Sequence, residues 1–302
     1  MNRRCLVQFA SVAALALALA ACGSDGTASN DTASPDTGGT AEPGSDQGDR
    51  DTLPAPEGYA HPTGPDDVVI EYTELSGFTT QEYAFQQPPM VLISGDGRVF
   101  TTGPQIAIYP GPALPNIQVG TITEEAVQQL LSIADDDGLF AEIDYTEESL
   151  VADASTATVT INVDGTSWVH SAYALGMDEP GKTPSPERAT LLGFTAQLTD
   201  LANTVGADQL GPTDAFAPDN YLIQSVEAAT PTTTADGIEP TIVDWPTTAD
   251  VALADATQCA VVSAESVGDL FTNADQLTYF VDDGVTYQVV AVQQLPQRSC
   301  DN

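Results

Sequence analysis

The sequence predicts an α+β fold: antiparallel hairpins with covering helices, in ββα-like units, over residues 66–205, then a smaller disulfide-tied α+β unit over residues 206–302. Three observations lead there. Apolar-rich stretches of strand length flank Asp-Gly turns at "MVLISGDGRVFTT", "TATVTINVDGTSWVHSAYAL" and "LTYFVDDGVTYQVVAV", and a tight hairpin with positive φ prefers such residues. Two longer segments repeat apolar residues at helical spacing between a capping residue and a stop. Cys259 and Cys300 are the only cysteines beyond Cys22.

In chain order, "VVIEYTEL" from Val68 reads as the first strand, and folded sequence is expected to begin there. The first hairpin turns at Gly95-Asp96-Gly97. In "TEEAVQQLLSIADDDG", Thr123 caps a helix whose positive end suits Glu124 and Glu125. Ala126, Val127, Leu130, Leu131, Ile133 and Ala134 make its apolar face, and Gly138 stops it. The second hairpin turns at Asp164-Gly165. Its helix, "PERATLLGFTAQLTDLA", has Ser185 as cap and Pro186 at the first helical position. Twice a hairpin precedes a helix, which hints at a duplicated ββα unit.

After the Gly/Pro/Asp-rich crossing "GADQLGPTDAFAPDN", a strand is expected at "NYLIQSVEA", a polar loop at "TPTTTADGIEP" and a further strand at "QCAVVS". A short helix follows over residues 264–271, and then the third hairpin.

The chain opens "MNRRCLVQFASVAALALALAACGSDG". Arg3 and Arg4 precede an apolar run and small residues, the pattern of an export signal over residues 1–21. Leu19-Ala20-Ala21-Cys22 resembles the bacterial lipobox, which implies lipid on Cys22 and an anchor in the membrane. Each buried methylene of such a chain contributes about 0.8 kcal/mol, so two or three chains hold stably. Residues 22–65 are rich in Gly, Ser, Thr, Asp and Pro, an acidic tether with too little apolar matter to offset the entropy of ordering. In an oxidising exterior, Cys259 and Cys300 are expected to pair. A metal or redox site lacks nearby histidine and C-x-x-C spacing.

Seven Lys and Arg against 44 Asp and Glu give a net charge of −37. Nucleic acid and anionic lipid headgroups need basic patches and are excluded as partners. The acidity suits either capture of cations or of a basic protein partner, or a solvated surface in a salty or alkaline exterior.

"GMDEPGKT", Gly176 to Thr183, fits the phosphate-loop pattern. Pro184 and Pro186 delay the helix start beyond reach of a phosphate, and Asp178 and Glu179 would repel one. Its preceding strand alternates instead of running apolar. No nucleotide and no other cofactor is therefore expected.

Only His61 and His170 are present. The first falls in the tether and the second on an alternating strand, as a satisfied sheet histidine would. No nucleophile elbow or zinc-protease motif occurs, so no catalytic residue is assigned. Asp135-Asp136-Asp137-Gly138 and Asp282-Asp283-Gly284 lack the alternating ligands of a calcium loop, and no metal site is assigned.

The segment "GPQIAIYPGPALPNIQVG" is a stiff, proline-rich connection carrying Ile106, Ile108, Tyr109 and Leu114. These four either display an apolar contact for an envelope partner or pack over the first sheet. This segment, with "GDGRV", "VADASTATVTINVDG" and "YALG", resembles a group of uncharacterised exported proteins and lipoproteins of high-GC Gram-positive (actinobacterial) bacteria. The resemblance spans most of residues 68–202 and, more loosely, the C-terminal unit. It implies a cell-envelope setting and brings no catalytic residues with it.

The leading expectation is a non-enzymatic lipoprotein that binds or scaffolds at the outer face of the cytoplasmic membrane. The alternatives are a carboxylate-dependent enzyme acting on wall or extracellular polymers, and a solute-binding lipoprotein, for which repeated βαβ crossovers are not evident.

Overall fold

A central strand with a hairpin on either side organises the first sheet. The computed structural model describes residues 58–147, 151–177 and 183–301. Strand β1 (Val68–Leu75) is followed by a short helix α1 (Gln81–Gln86), then β2 (Val91–Ser94), β3 (Arg98–Thr102) and β4 (Ile117–Thr121) as an antiparallel meander. After helix α2 (Glu124–Asp136), the hairpin β5 (Thr156–Val163) and β6 (Thr166–Tyr173) returns to the free edge of β1. Helices α3 (Pro186–Thr199) and α4 (Leu201–Thr204) come next, and β7 (Asp214–Ala215) closes the far edge. The strand order is β6-β5-β1-β2-β3-β4-β7.

The local reasons match the expected ones. Thr123 Oγ1 accepts from Ala126 N at 3.3 Å and Ser185 Oγ from Arg188 N at 3.3 Å, so both helices start where the side-chain caps place them. Asp164 and Gly165 hold φ of 51° and 75°, the left-handed pair that matches strand twist in a two-residue hairpin.

One sheet face, with Val91, Ile93, Val159 and Ile161, packs beneath Leu130 and Leu131 of α2 and Leu191 and Phe194 of α3. Leu92, Phe100 and Ile117 alternate to the other face and form a second small core with Leu295 near the C-terminus. With both faces covered, β2 is buried at every position.

The second sheet contains β8 (Asn220–Glu227), β9 (Thr241–Asp244), β10 (Ala260–Ser263), β11 (Thr278–Asp282) and β12 (Val285–Gln293), with α5 (Ala264–Val267) after β10. Its order is β10-β8-β12-β11-β9, antiparallel except for the β9–β11 pair. Tyr221–Phe271, Trp245–Phe280 and Phe271–Phe280 pack edge to face in its core, a geometry favoured by the ring quadrupoles. The expected bridge is present: Cys259 and Cys300 are bonded, with Cα atoms 5.4 Å apart.

The α+β class and the antiparallel hairpins stand as expected, with several differences in detail. Folded structure starts earlier than Val68, since Tyr59 N donates to Gln128 Oε1 at 2.7 Å and its ring packs on Phe140. Strand β4 intervenes between the first hairpin and α2, whereas β5 and β6 lead on to α3 with no strand between, so the two hairpin-and-helix units are not copies. Strand β4 begins inside the proline-rich connection, and β9 directly follows the polar loop, where the sequence reading assigns no element. The last helix ends at Val267 because Gly268 turns to φ 55°.

Candidate functional site

The loop between β3 and β4 is pinned at its base and apolar at its tip. Gly103 N donates to Asn116 O at 2.7 Å, and Asn116 Nδ2 to Pro104 O at 2.8 Å. The returning half is stitched to the second sheet: Gly111 N donates to Gln276 Oε1 at 3.1 Å, Gln276 N to Gly111 O at 2.9 Å and Ala113 N to Ala274 O at 3.1 Å. What projects between is the tip, where Ile106, Ile108 and Tyr109 are 67%, 58% and 59% exposed.

Leu114 does not join them. It packs against the second sheet's core, because the Gly111–Gln276 and Ala113–Ala274 bonds draw that half of the loop inward. The four residues grouped by the sequence are thus three exposed side chains and one that is partly buried against the second core. No residue from Val99 to Thr123 is charged. That depletion, in so acidic a chain, matches the composition of an interface centre, where charges are scarce and aromatics enriched.

Where the C-terminal tail crosses the first sheet lies a cleft of about 510 Å³. Glu71 of β1 and Arg298 of the tail both line it, with the Cys259–Cys300 bridge in its wall. Burial raises the Glu71 carboxyl, opposed by the Arg298 charge. Burial lowers the Arg298 guanidinium, opposed by Glu71. Arg298 donates to Gln87 O at 3.4 Å and to Phe85 O, and lies over the Phe85 ring. It is the clamp that holds α1 to the tail. A glycosidase needs two carboxyl groups flanking its substrate bond, and among the described lining residues Glu71 is the only carboxylate.

The other sequence-flagged groups have structural partners. His170 is buried, with Nε2 at 2.8 Å from Leu139 O and Nδ1 at 3.1 Å from the Tyr145 hydroxyl. A carbonyl only accepts, so Nε2 carries the proton and Nδ1 accepts from Tyr145. Burial holds His170 below its ordinary range and pushes the Tyr145 phenol up to about 12. His61 sits within the packed N-terminal segment, 3.0 Å from Glu124 Oε1. Asp135 accepts from the Tyr59 hydroxyl at 2.8 Å, and Asp282 from Leu253 N at 2.8 Å. Among the described residues no group of three or more His, Cys, Asp or Glu could hold a metal ion.

Cys22 lies outside the described residues, as do residues 178–182 of "GMDEPGKT". The helix that follows that segment begins at Pro186, with Ser185 as its cap. Composition alone did not reveal the fate of the cations. Arg98, Arg188 and Arg298, the described cationic side chains, all donate to backbone carbonyls. The signal lies in their scarcity, since seven Lys and Arg in 302 residues makes each one a structural suspect.

Compared with known proteins, the chain matches no family model, no curated protein and no solved structure.

Proposed function

We propose that this is a lipid-anchored cell-envelope protein that works by binding a protein partner through the apolar tip of the β3–β4 loop. The observation that carries the reading is the exposure of Ile106, Ile108 and Tyr109 on a segment whose two ends are hydrogen-bonded in place. A loop held at its base loses little freedom on docking, and each large apolar side chain buried by a partner contributes about 1.5–3 kcal/mol. The export signal and the Leu19-Ala20-Ala21-Cys22 motif support placement on the outer face of the cytoplasmic membrane. The Cys259–Cys300 bridge fits an oxidising compartment.

Crosslinking in intact cells tests the reading. The triple variant Ile106→Ser, Ile108→Ser, Tyr109→Ser should lose the partner that the wild type captures, while its circular dichroism and melting temperature stay unchanged. Deleting the whole loop would be a poorer test, because Leu114 packs against the second core. A partner retained by the folded triple variant would refute the proposal.

A further inference from the structure

The cleft under the C-terminal tail holds two opposite charges that the fold leaves apart. Glu71 of β1 and Arg298 of the tail both line it, yet neither takes part in an ion pair among the described residues.

The Glu71 carboxylate is half-buried and accepts no hydrogen bond among the described residues. Its oxygens are not cut off from solvent, so a molecule in the cleft can reach them. Burial raises this carboxyl, and the Arg298 charge opposes the rise only in part. The ionised form is therefore short of a partner. A carboxylate kept so at a cost to the fold invites a ligand that brings the missing positive charge.

Arg298 is the complement. A guanidinium carries more N–H donors than the two that the carbonyls of Phe85 and Gln87 engage. The others are left for an acceptor.

The pair of charges narrows the ligand class. A plain amine would meet the like charge of Arg298, and a plain carboxylate that of Glu71. A neutral polyol would leave both without a counter-charge. A zwitterion offsets each. The cleft, at about 510 Å³, falls in the range of sites that bury ligands of drug size. Gln87 and Gln224 also line it, and their side chains make no hydrogen bond among the described residues. Each side-chain amide can donate and accept at once, as the polar body of a peptide requires.

We propose that this cleft binds a small zwitterion of the amino-acid or short-peptide class, with its ammonium on Glu71, its carboxylate on Arg298 and any amide groups beside Gln87 and Gln224. The site shares no residue with the tip of the β3–β4 loop, so the two readings can fail separately.

Four probes, titrated into the full chain by calorimetry, separate the parts: alanyl-alanine, its N-acetyl form, its C-terminal amide and alanine. Alanyl-alanine should bind saturably. The acetyl form lacks the ammonium and the amide form lacks the carboxylate, so each should bind at least about tenfold more weakly, the scale of one hydrogen bond to a charged group. Glu71→Gln keeps the shape of the side chain and removes its charge. It should weaken alanyl-alanine at least about tenfold and leave the acetyl form nearly unchanged, with a thermal melt to confirm that the variant is folded. Alanine binding as tightly as the dipeptide assigns the site to free amino acids, and weaker binding assigns it to peptides; the zwitterion stands in both cases. Either blocked form binding as tightly as alanyl-alanine would overturn the proposal, as would alanyl-alanine affinity unmoved in folded Glu71→Gln. So would no saturable binding of alanyl-alanine or alanine up to their solubility limits.

Discussion

Removal of the Cys259–Cys300 bridge by the paired change Cys259→Ser, Cys300→Ser exposes how the second sheet is held. The two cysteines are 41 residues apart, and freeing a loop of that size returns to the unfolded chain entropy equivalent to about 4 kcal/mol at 25 °C. For a folded unit of this size each kcal/mol lowers the melting temperature by roughly 2–4 °C, so a fall of about 8–16 °C is expected in calorimetry. The position of the bond adds a local signature. Cys259 immediately precedes the edge strand β10, and Cys300 ends the tail that carries Leu295 and Arg298. Leu295 fills the core under Phe100 and Ile117, and Arg298 clamps α1 through the carbonyls of Phe85 and Gln87. Amide exchange should therefore quicken first in β10, the tail and α1, while β1, β2 and β5 stay protected until global unfolding. A melting shift of only a degree or two, or exchange that quickens uniformly across both sheets, would refute this account of the bridge.

Other perturbations follow from the same geometry. Arg188→Met should destabilise the fold by about 2–4 kcal/mol in urea titration, since the buried carbonyls of Tyr145 and Ala174 and the partly buried one of Tyr173 lose their donor and each orphaned buried acceptor is costly. Glu71→Gln should stabilise at neutral pH. Burial raises the Glu71 carboxyl above its unfolded value, so its favourable contribution is present below the ordinary carboxyl range and is lost as pH rises through the raised value. The variant's advantage in chemical denaturation should thus shrink towards acid pH, and an advantage that grows there would count against the burial argument.

The local parts of the fold were legible where one or two residues decide the backbone. Asp164-Gly165 and Asp283-Gly284 adopt the positive φ that their sequence implies, and Thr123 and Ser185 cap the helices they were expected to cap. What escaped reading depends on distant partners. Helix α1 buries none of its own residues and is held by Arg298, far along the chain. Strand β9 is four residues between Pro240 and Pro246, and it exists because β11 offers it a parallel edge. Tyr59 looks like tether until Gln128 and Phe140 are placed beside it. Leu114 looks like Ile106 in sequence, and only Gln276 and Ala274 draw its half of the loop inward.

The acidity and the apolar loop make opposite demands on a partner, and this separates them. The described arginines are occupied within the fold, so the surface presents uncompensated carboxylates to solvent. Capture of a basic partner by that surface would weaken steeply with added salt, because exposed charges are screened beyond about 10 Å at 0.1 M ionic strength. Docking on Ile106, Ile108 and Tyr109 draws on a stretch without charge from Val99 to Thr123, and its strength should hold or rise slightly as salt strengthens apolar burial. The salt dependence of the captured complex thus reports which surface makes the contact. Persistence of capture at high salt in the wild type, joined to its loss in the triple loop variant at every salt concentration, assigns the contact to the loop. A complex that dissolves with salt and ignores the loop substitutions assigns it to the carboxylates.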